Sequence, residues 1–175
     1  EIDIPLNPPA DPIALTNVNI ALNSSLDISF NGLASVLDQY ENVYVVFEAE
    51  GKQTAVVSDY FVTGEGENTR YNFTFKGLNI LDMSLTIKAT IHGTFNGKEY
   101  VGETKEYSLL KYATTALSNE NVALYPGVAK VCANLLQYAI AAEAYKPEAA
   151  AENLVKDLLT EEQRTNMNNL TLATD

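Results

Sequence analysis

The chain has 175 residues, 46% of them hydrophobic, which is enough to bury one substantial core in a unit of ordinary domain size. Eleven Lys and Arg against 23 Asp and Glu give a formal charge of −12, which argues against nucleic acid and anionic membranes as partners. A single cysteine, Cys132, excludes an intrachain disulfide, a cysteine metal cluster and a CxxC redox pair.

The chain begins with a proline-rich stretch. Residues 1–14 contain four of the six prolines, at positions where neither a regular helix nor a central strand tolerates them. This composition predicts an inter-module linker.

Residues 15–107 show alternating apolar and polar side chains, interrupted by Gly and Asn, as half-buried strands do. In 84–92 the side chains of Leu85, Ile87, Ala89 and Ile91 share one face, which we expect to be the core face. Asn96-Gly97 predicts a two-residue hairpin, because a type I′ turn needs positive φ at both central residues. Short turns without crossover helices favour an antiparallel sandwich over a parallel sheet.

Residues 108–175 change to helical periodicity. One helix is predicted around Leu110 to Leu117, and a longer one after Pro126-Gly127. The predicted apolar stripe of the longer helix consists of Val128, Val131, Cys132, Leu135, Ala139 and Ala142. Thr160 followed by Gln163 predicts a capping box and a last short helix. The predicted fold is therefore mainly β with C-terminal helices: an antiparallel immunoglobulin-like β-sandwich (15–107), then a helical hairpin and a short helix packed on it (108–175).

The sequence offers little material for catalysis. A nucleophilic triad needs a base beside its nucleophile, and the one histidine, His92, falls on the polar face of a predicted strand. Carboxylate pairs for glycoside hydrolysis arise by chance among so many acids. No nucleotide-binding or zinc motif occurs, so we expect no enzyme activity and no catalytic residues.

One loop gathers oxygen donors. Glu65 and Glu67 lie in a Gly-rich turn and could bind calcium together with Asp59, although the spacing of an EF-hand loop is absent. A solvated hairpin tip explains the same composition. We therefore expect no cofactor, with Ca²⁺ as the one candidate.

Tyrosines are the remaining signal for binding. Six of the ten lie in the strand region, where each can pack into the sheet or expose a ring on which a sugar could stack. The candidate ligand-binding residues are Tyr40, Tyr44 and Tyr60, and Tyr44 shares its row of the strand with Glu48.

The order of segments resembles a module repeated in secreted and surface proteins of clostridial and ruminococcal Gram-positive bacteria, often beside carbohydrate-active or cellulosome-type modules. Stretch 131–145, VCANLLQYAIAAEAY, is similar to the family's LLNYGAAAQxYF, with Ala139 in place of its Gly. Pro147 replaces a usual aromatic-Asn stretch. The resemblance also covers 71–78 (YNFTFKGL), 82–90 (DMSLTIKAT), 97–113 (GKEYVGETKEYSLLKYA) and 158–163 (LLTEEQ).

The resemblance implies an extracellular or cell-surface location and a non-catalytic accessory role. The leading hypothesis is a structural or protein-docking spacer whose partners are neighbouring modules of the same polypeptide or a surface protein. The alternative is a carbohydrate-binding module that holds a polysaccharide on its exposed tyrosines. The sequence leaves these two hypotheses open.

Overall fold

The computed structural model of the protein describes residues 8–22, 26–150 and 152–172. Within them lie nine strands and six α-helices. The strands are β1 (Asn17–Leu22), β2 (Leu26–Leu33), β3 (Glu41–Glu48), β4 (Ala55–Val57), β5 (Phe61–Thr63), β6 (Arg70–Leu78), β7 (Ile87–Phe95), β8 (Lys98–Val101) and β9 (Lys105–Tyr107). The helices are α1 (Ala34–Leu37), α2 (Leu109–Thr115), α3 (Asn119–Leu124), α4 (Pro126–Tyr145), α5 (Val155–Leu158) and α6 (Glu161–Leu172).

The strands form two antiparallel sheets. The first has the order β1-β2-β6-β5, and the second has the order β4-β3-β7-β8, with β9 also paired to β7. The predicted hairpin at Asn96-Gly97 is confirmed, because Phe95 pairs with Lys98 and the two turn residues have φ of 50° and 78°. Two antiparallel sheets followed by helices are thus the part of the predicted fold class that the structure bears out.

Aromatic rings from both sheets meet in a common core. The ring of Phe47 on β3 lies 5.8 Å from that of Phe30 on β2 and 5.6 Å from that of Phe75 on β6. The predicted core row of β7 is buried as well. Hydrophobic burial across the two sheets therefore holds this part of the chain together.

The linker predicted at residues 1–14 includes a residue near its C-terminal end, Ile13, that packs into the folded structure. Ile13 is buried, and a Cβ atom added at Gly93 would lie only 2.7 Å from its Cδ1 atom. The carbonyl oxygen of Asp11 accepts a hydrogen bond from Tyr40. Ile13 thus belongs to the core, because it fills the space that a side chain at position 93 would need, while Asp11 and Pro12 beside it are exposed. Residues 1–7 of the predicted linker lie outside the described residues.

The chain divides into two compact units, and their bounds differ from the predicted 15–107 and 108–175. The first unit includes Asp27–Lys76 and Ile87–Glu106, while Gly77–Thr86 groups with Tyr107–Asp175 in the second. Hydrogen bonds explain this grouping: Leu110 N–H donates to the Met83 carbonyl at 2.8 Å, and Ser84 Oγ donates to the Asn153 carbonyl at 2.8 Å.

Helix α4 is the centre of the second unit and contacts α2, α3, α5 and α6. Its buried side chains are Ala129, Cys132, Ala133, Leu136, Ala139 and Glu143. The capping box before α6 is confirmed, since Thr160 and Gln163 each bond the other's backbone N–H. No helix in the described part of the chain combines the length and hydropathy that a bilayer span requires.

Glu143 is a buried acid inside this helical unit, with 2% of its surface exposed. Its Oε1 accepts a hydrogen bond from Val155 N–H at 2.7 Å. Burial raises the pKa of the Glu143 carboxyl, Asp157 raises it further, and the bond from Val155 acts against both. Because the folded-state pKa is raised, the stability that the protonated form provides is present at acid pH and is lost as pH rises through that pKa.

We therefore expect Glu143→Gln, which keeps the acceptor for Val155, to stabilise the protein at pH 7.5 by about 1 kcal/mol, or roughly 2–4 °C in Tm. The gain should shrink toward pH 4. Thermal unfolding at both pH values measures it, with the exposed Glu148→Gln as the control. An equal change at the two pH values would show that the charge is not its cause.

Candidate functional site

An open groove lies where β4 ends one sheet and β5 ends the other. Strand β5 is three residues long and pairs with β6 only from Arg70 to Asn72, which leaves Thr74 and Lys76 beside the opening. The groove has a volume of about 410 Å³. We call it the Tyr60 groove; its lining consists of Ala55, Val57, Tyr60 and Phe61 and of the polar residues Asp59, Asn72, Thr74 and Lys76.

Tyr60 is a half-exposed ring held against other rings. It is 49% exposed, and its centroid lies 4.2 Å from that of Tyr71 and 5.7 Å from that of Phe73. The Tyr71 hydroxyl in turn donates to Asp38 Oδ1 at 2.7 Å. This bond is the main reason why the pKa of Tyr71 is raised to about 12, so the phenol remains a donor at neutral pH. The support beneath Tyr60 is therefore fixed by stacking and by a charge-assisted hydrogen bond.

A second, smaller cavity of about 180 Å³ also has Tyr60 in its wall. We call it the Asp38 cavity, since Asp38 is the one carboxylate among the described residues that line it. Tyr40 lines it too, together with Leu37, Val43, Tyr60, Tyr71 and Phe73.

Asn72 anchors the strand that carries the groove. Its side chain is fully buried, and Oδ1 accepts hydrogen bonds from the amides of Asn19 and Asn31 at 3.2 and 3.0 Å. Its Nδ2 donates to the Phe61 carbonyl at 3.1 Å and to Thr63 Oγ1 at 2.9 Å. Sequence reasoning missed this residue, although an amide between two aromatic residues of a strand is a signal for a buried hydrogen-bond network.

Tyr40, predicted to bind ligand as an exposed tyrosine, is buried. It is 7% exposed, its hydroxyl donates to the Asp11 carbonyl at 2.6 Å, and its ring packs edge-on with Phe95 and Tyr100. The predicted exposure of Tyr40 is therefore wrong, whereas its role in ligand binding stays a prediction, since it lines the Asp38 cavity.

Tyr44 lies on the second sheet in a polar cluster of its own. Its ring stacks on His92 at 4.7 Å with an angle of 3° between planes, and its hydroxyl donates to Glu99 Oε1 at 2.8 Å. His92 Nδ1 is 3.2 Å from the same oxygen. These bonds raise the pKa of Tyr44 and lower the pKa of Glu99. His92 covers one face of the Tyr44 ring, and Tyr44 does not line the groove or the cavity beside Tyr60.

The three candidate calcium ligands are not gathered. Asp59 lines the Tyr60 groove, whereas Glu65 and Glu67 lie around the short turn at Gly66–Asn68. In residues 8–22, 26–150 and 152–172, no group of three or more acids, histidines or cysteines is placed to hold a metal ion.

Cys132 is buried in α4, and burial raises the pKa of its thiol to about 11. At neutral pH the group is therefore a neutral thiol, which is a poor nucleophile.

The chain was compared with protein families, curated proteins and solved structures. No protein-family model matches the chain, and no curated protein is significantly similar to it. A solved structure described as the crystal structure of the Br derivative of BhCBM56 is 13% identical, with a TM-score of 0.31 over 52% of this chain and 88% of that one.

Proposed function

We propose that the protein is a non-catalytic module of an extracellular bacterial protein and that it binds a neutral glycan in the Tyr60 groove. The observation that carries the proposal is the half-exposed Tyr60 ring, supported from behind by Tyr71 and Phe73. A ring already held in place loses little conformational freedom when a ligand stacks on it.

The composition of the groove supports a sugar as the ligand. A pyranose ring has apolar C–H faces and an edge of hydroxyl groups, so it needs an aromatic surface with polar side chains beside it. The lining of the groove includes the rings of Tyr60 and Phe61 together with the polar side chains of Asp59, Thr74 and Lys76. The net charge of −12 disfavours polyanionic glycans, which leaves neutral ones.

The strand order supports an immunoglobulin-like sandwich as the scaffold. In immunoglobulin constant domains one sheet contains strands A, B, E and D and the other C, F and G. Lettered in chain order, β1-β2-β6-β5 reads A-B-E-D, and β3-β7-β8 reads C-F-G with β4 as an additional strand. The accessory role and the extracellular location rest on the resemblance of 71–78, 82–90, 97–113, 131–145 and 158–163 to the clostridial and ruminococcal module.

The experiment is affinity electrophoresis and calorimetry of the 175-residue chain against cellulose, xylan, mannan, pectin and starch. We expect retention on at least one neutral polymer, and Tyr60→Ala should weaken it at least about tenfold, the effect of losing roughly 1.4 kcal/mol of stacking and burial.

The matched control is Tyr44→Ala, which removes a tyrosine outside the Tyr60 groove and should leave affinity unchanged. Unaltered thermal unfolding of Tyr60→Ala excludes misfolding as the cause of its loss. The glycan proposal fails if no polymer retains the chain or if both tyrosine variants bind as the wild type does.

Protein docking is the second candidate, and the edges of the two sheets favour it. Val56 on β4 and Phe61 and Val62 on β5 are exposed apolar residues on edge strands, where an added peptide strand could pair. The Val62→Lys variant should lose the binding of a partner that docks on this edge, because it places a charge among the exposed apolar residues. Binding of glycans, in contrast, should survive that change, because Val62 does not line the Tyr60 groove.

A further inference from the structure

We infer that the glycan is bound along its length, with one sugar unit in the Tyr60 groove and a neighbouring unit in the Asp38 cavity. This inference rests on the proposed function and names the ligand more closely. A chain of neutral sugar units is the ligand, in preference to a single sugar or a uronic-acid polymer.

The shared position of Tyr60 is the first observation. Its ring lines both the groove of about 410 Å³ and the cavity of about 180 Å³. A ligand that stacks on the exposed part of Tyr60 therefore contacts a residue that belongs to both spaces. A single sugar would fill one space and leave the other to water, whereas a chain would occupy both.

The Asp38 cavity has the chemistry for a second sugar unit. Val43 and Phe73 provide apolar surface, and Asp38 provides the polar group. Asp38 accepts a hydrogen bond from Tyr71 on Oδ1, but a carboxylate has about four lone-pair positions and can also accept from a sugar hydroxyl. Bonds to a charged acceptor are about twice as strong as neutral ones, so this unit should add measurable affinity.

The same carboxylate selects against acidic sugars. A uronic-acid unit in the Asp38 cavity would place a second carboxylate close to Asp38, and like charges at short range repel. Among the described residues, no lysine or arginine lines this cavity, whereas Lys76 lines the Tyr60 groove. The requirement for a neutral sugar thus applies in particular to the unit in the Asp38 cavity.

The test is calorimetry with oligosaccharides of one to six units from a neutral polymer that retains the wild-type chain. Affinity should rise at least tenfold between one unit and two or three. Val43→Phe, which enlarges a side chain that lines the Asp38 cavity but not the Tyr60 groove, should remove that rise and leave the affinity for one unit unchanged.

Two further variants separate the two spaces. Asp38→Asn, which keeps an oxygen for the Tyr71 hydroxyl, should weaken the longer oligosaccharides by about five- to tenfold, since a neutral acceptor replaces a charged one. Lys76→Met in the groove should weaken all lengths by the same factor.

If affinity is equal for all lengths and Val43→Phe has no effect on it, the second sugar position is overturned. The proposed function stays intact in that case, provided Tyr60→Ala still weakens binding at least about tenfold. If no oligosaccharide or polymer binds the wild type at all, the proposed function fails as well. Tight binding of a uronic-acid chain by the wild type would overturn the selection by Asp38.

Discussion

Replacing Asn72 with alanine should lower the free energy of unfolding by about 3 kcal/mol, because its amide is satisfied by four partners in a fully buried position. The variant leaves the buried amide of Asn31 without this acceptor and the Phe61 carbonyl without this donor. Urea denaturation measures the loss. The same variant should also weaken glycan binding, because Asn72 ties β5 to β6 beside the Tyr60 groove.

The control for this change is Asn68→Ala, an exposed asparagine near the start of β6, which should alter stability by no more than about 0.5 kcal/mol. Asn72→Asp sharpens the test. It keeps an acceptor for Asn19 and Asn31 but turns the donor side into a second acceptor facing the Phe61 carbonyl, so it too should be strongly destabilised. A variant Asn72→Ala as stable as Asn68→Ala would contradict this account of the network.

The largest loss of stability is expected for Phe47→Ala, about 4 kcal/mol, from lost burial and the cavity that remains. Phe47 is fully buried and contacts Phe30 and Phe75 in the opposite sheet, so the truncation removes contacts between the two sheets. Guanidinium denaturation should show a lower midpoint with an unchanged slope, the sign that only stability has changed.

Phe61→Ala is the matched control, because it truncates the same side chain at an exposed position on β5. Its loss should stay below about 1 kcal/mol. Should Phe47→Ala cost no more than Phe61→Ala, the two sheets do not share the core described above.

Alternation along the strands can be predicted from the sequence because it follows from the geometry of the pleat. Leu85, Ile87, Ala89 and Ile91 are buried as predicted, and Asn96-Gly97 forms the predicted hairpin, since positive φ at both positions leaves few other choices. Thr160 and Gln163 bond as a capping box for a similarly local reason. Each of these predictions depends on residues close together in the chain.

The phase of helix α4 cannot be predicted from the sequence in the same way. Of its predicted stripe, Cys132 and Ala139 are buried, but Val128 and Val131 are 44% and 49% exposed, while Ala129 and Ala133 are buried instead. Hydropathy favours valine for the interior, yet alanine lets neighbouring helices approach more closely, and four helices contact α4. The choice depends on partners that are distant in sequence.

The candidate site is predicted only in part, for the same reason. Tyr60 is among the three tyrosines that the sequence singles out, and in the structure it lines two cavities. Tyr40 is another of the three but is covered by residues 11–13, whereas Asn72 is not among the predicted residues at all. Two things depend on residues that are far apart in the chain: whether a tyrosine is buried by another segment, and which groups bond to an amide side chain on a strand. Asp11 with Tyr40 and Asn19 with Asn72 are such pairs.

The buried, neutral thiol of Cys132 makes the native chain almost silent toward alkylating reagents. A cysteine introduced at an exposed position, such as Val62, would then be labelled selectively, and a fluorophore there could report on ligands near β5. The slow rate at which Cys132 itself is modified would measure transient opening of the helical unit, since the sulfur reacts only when α4 becomes accessible.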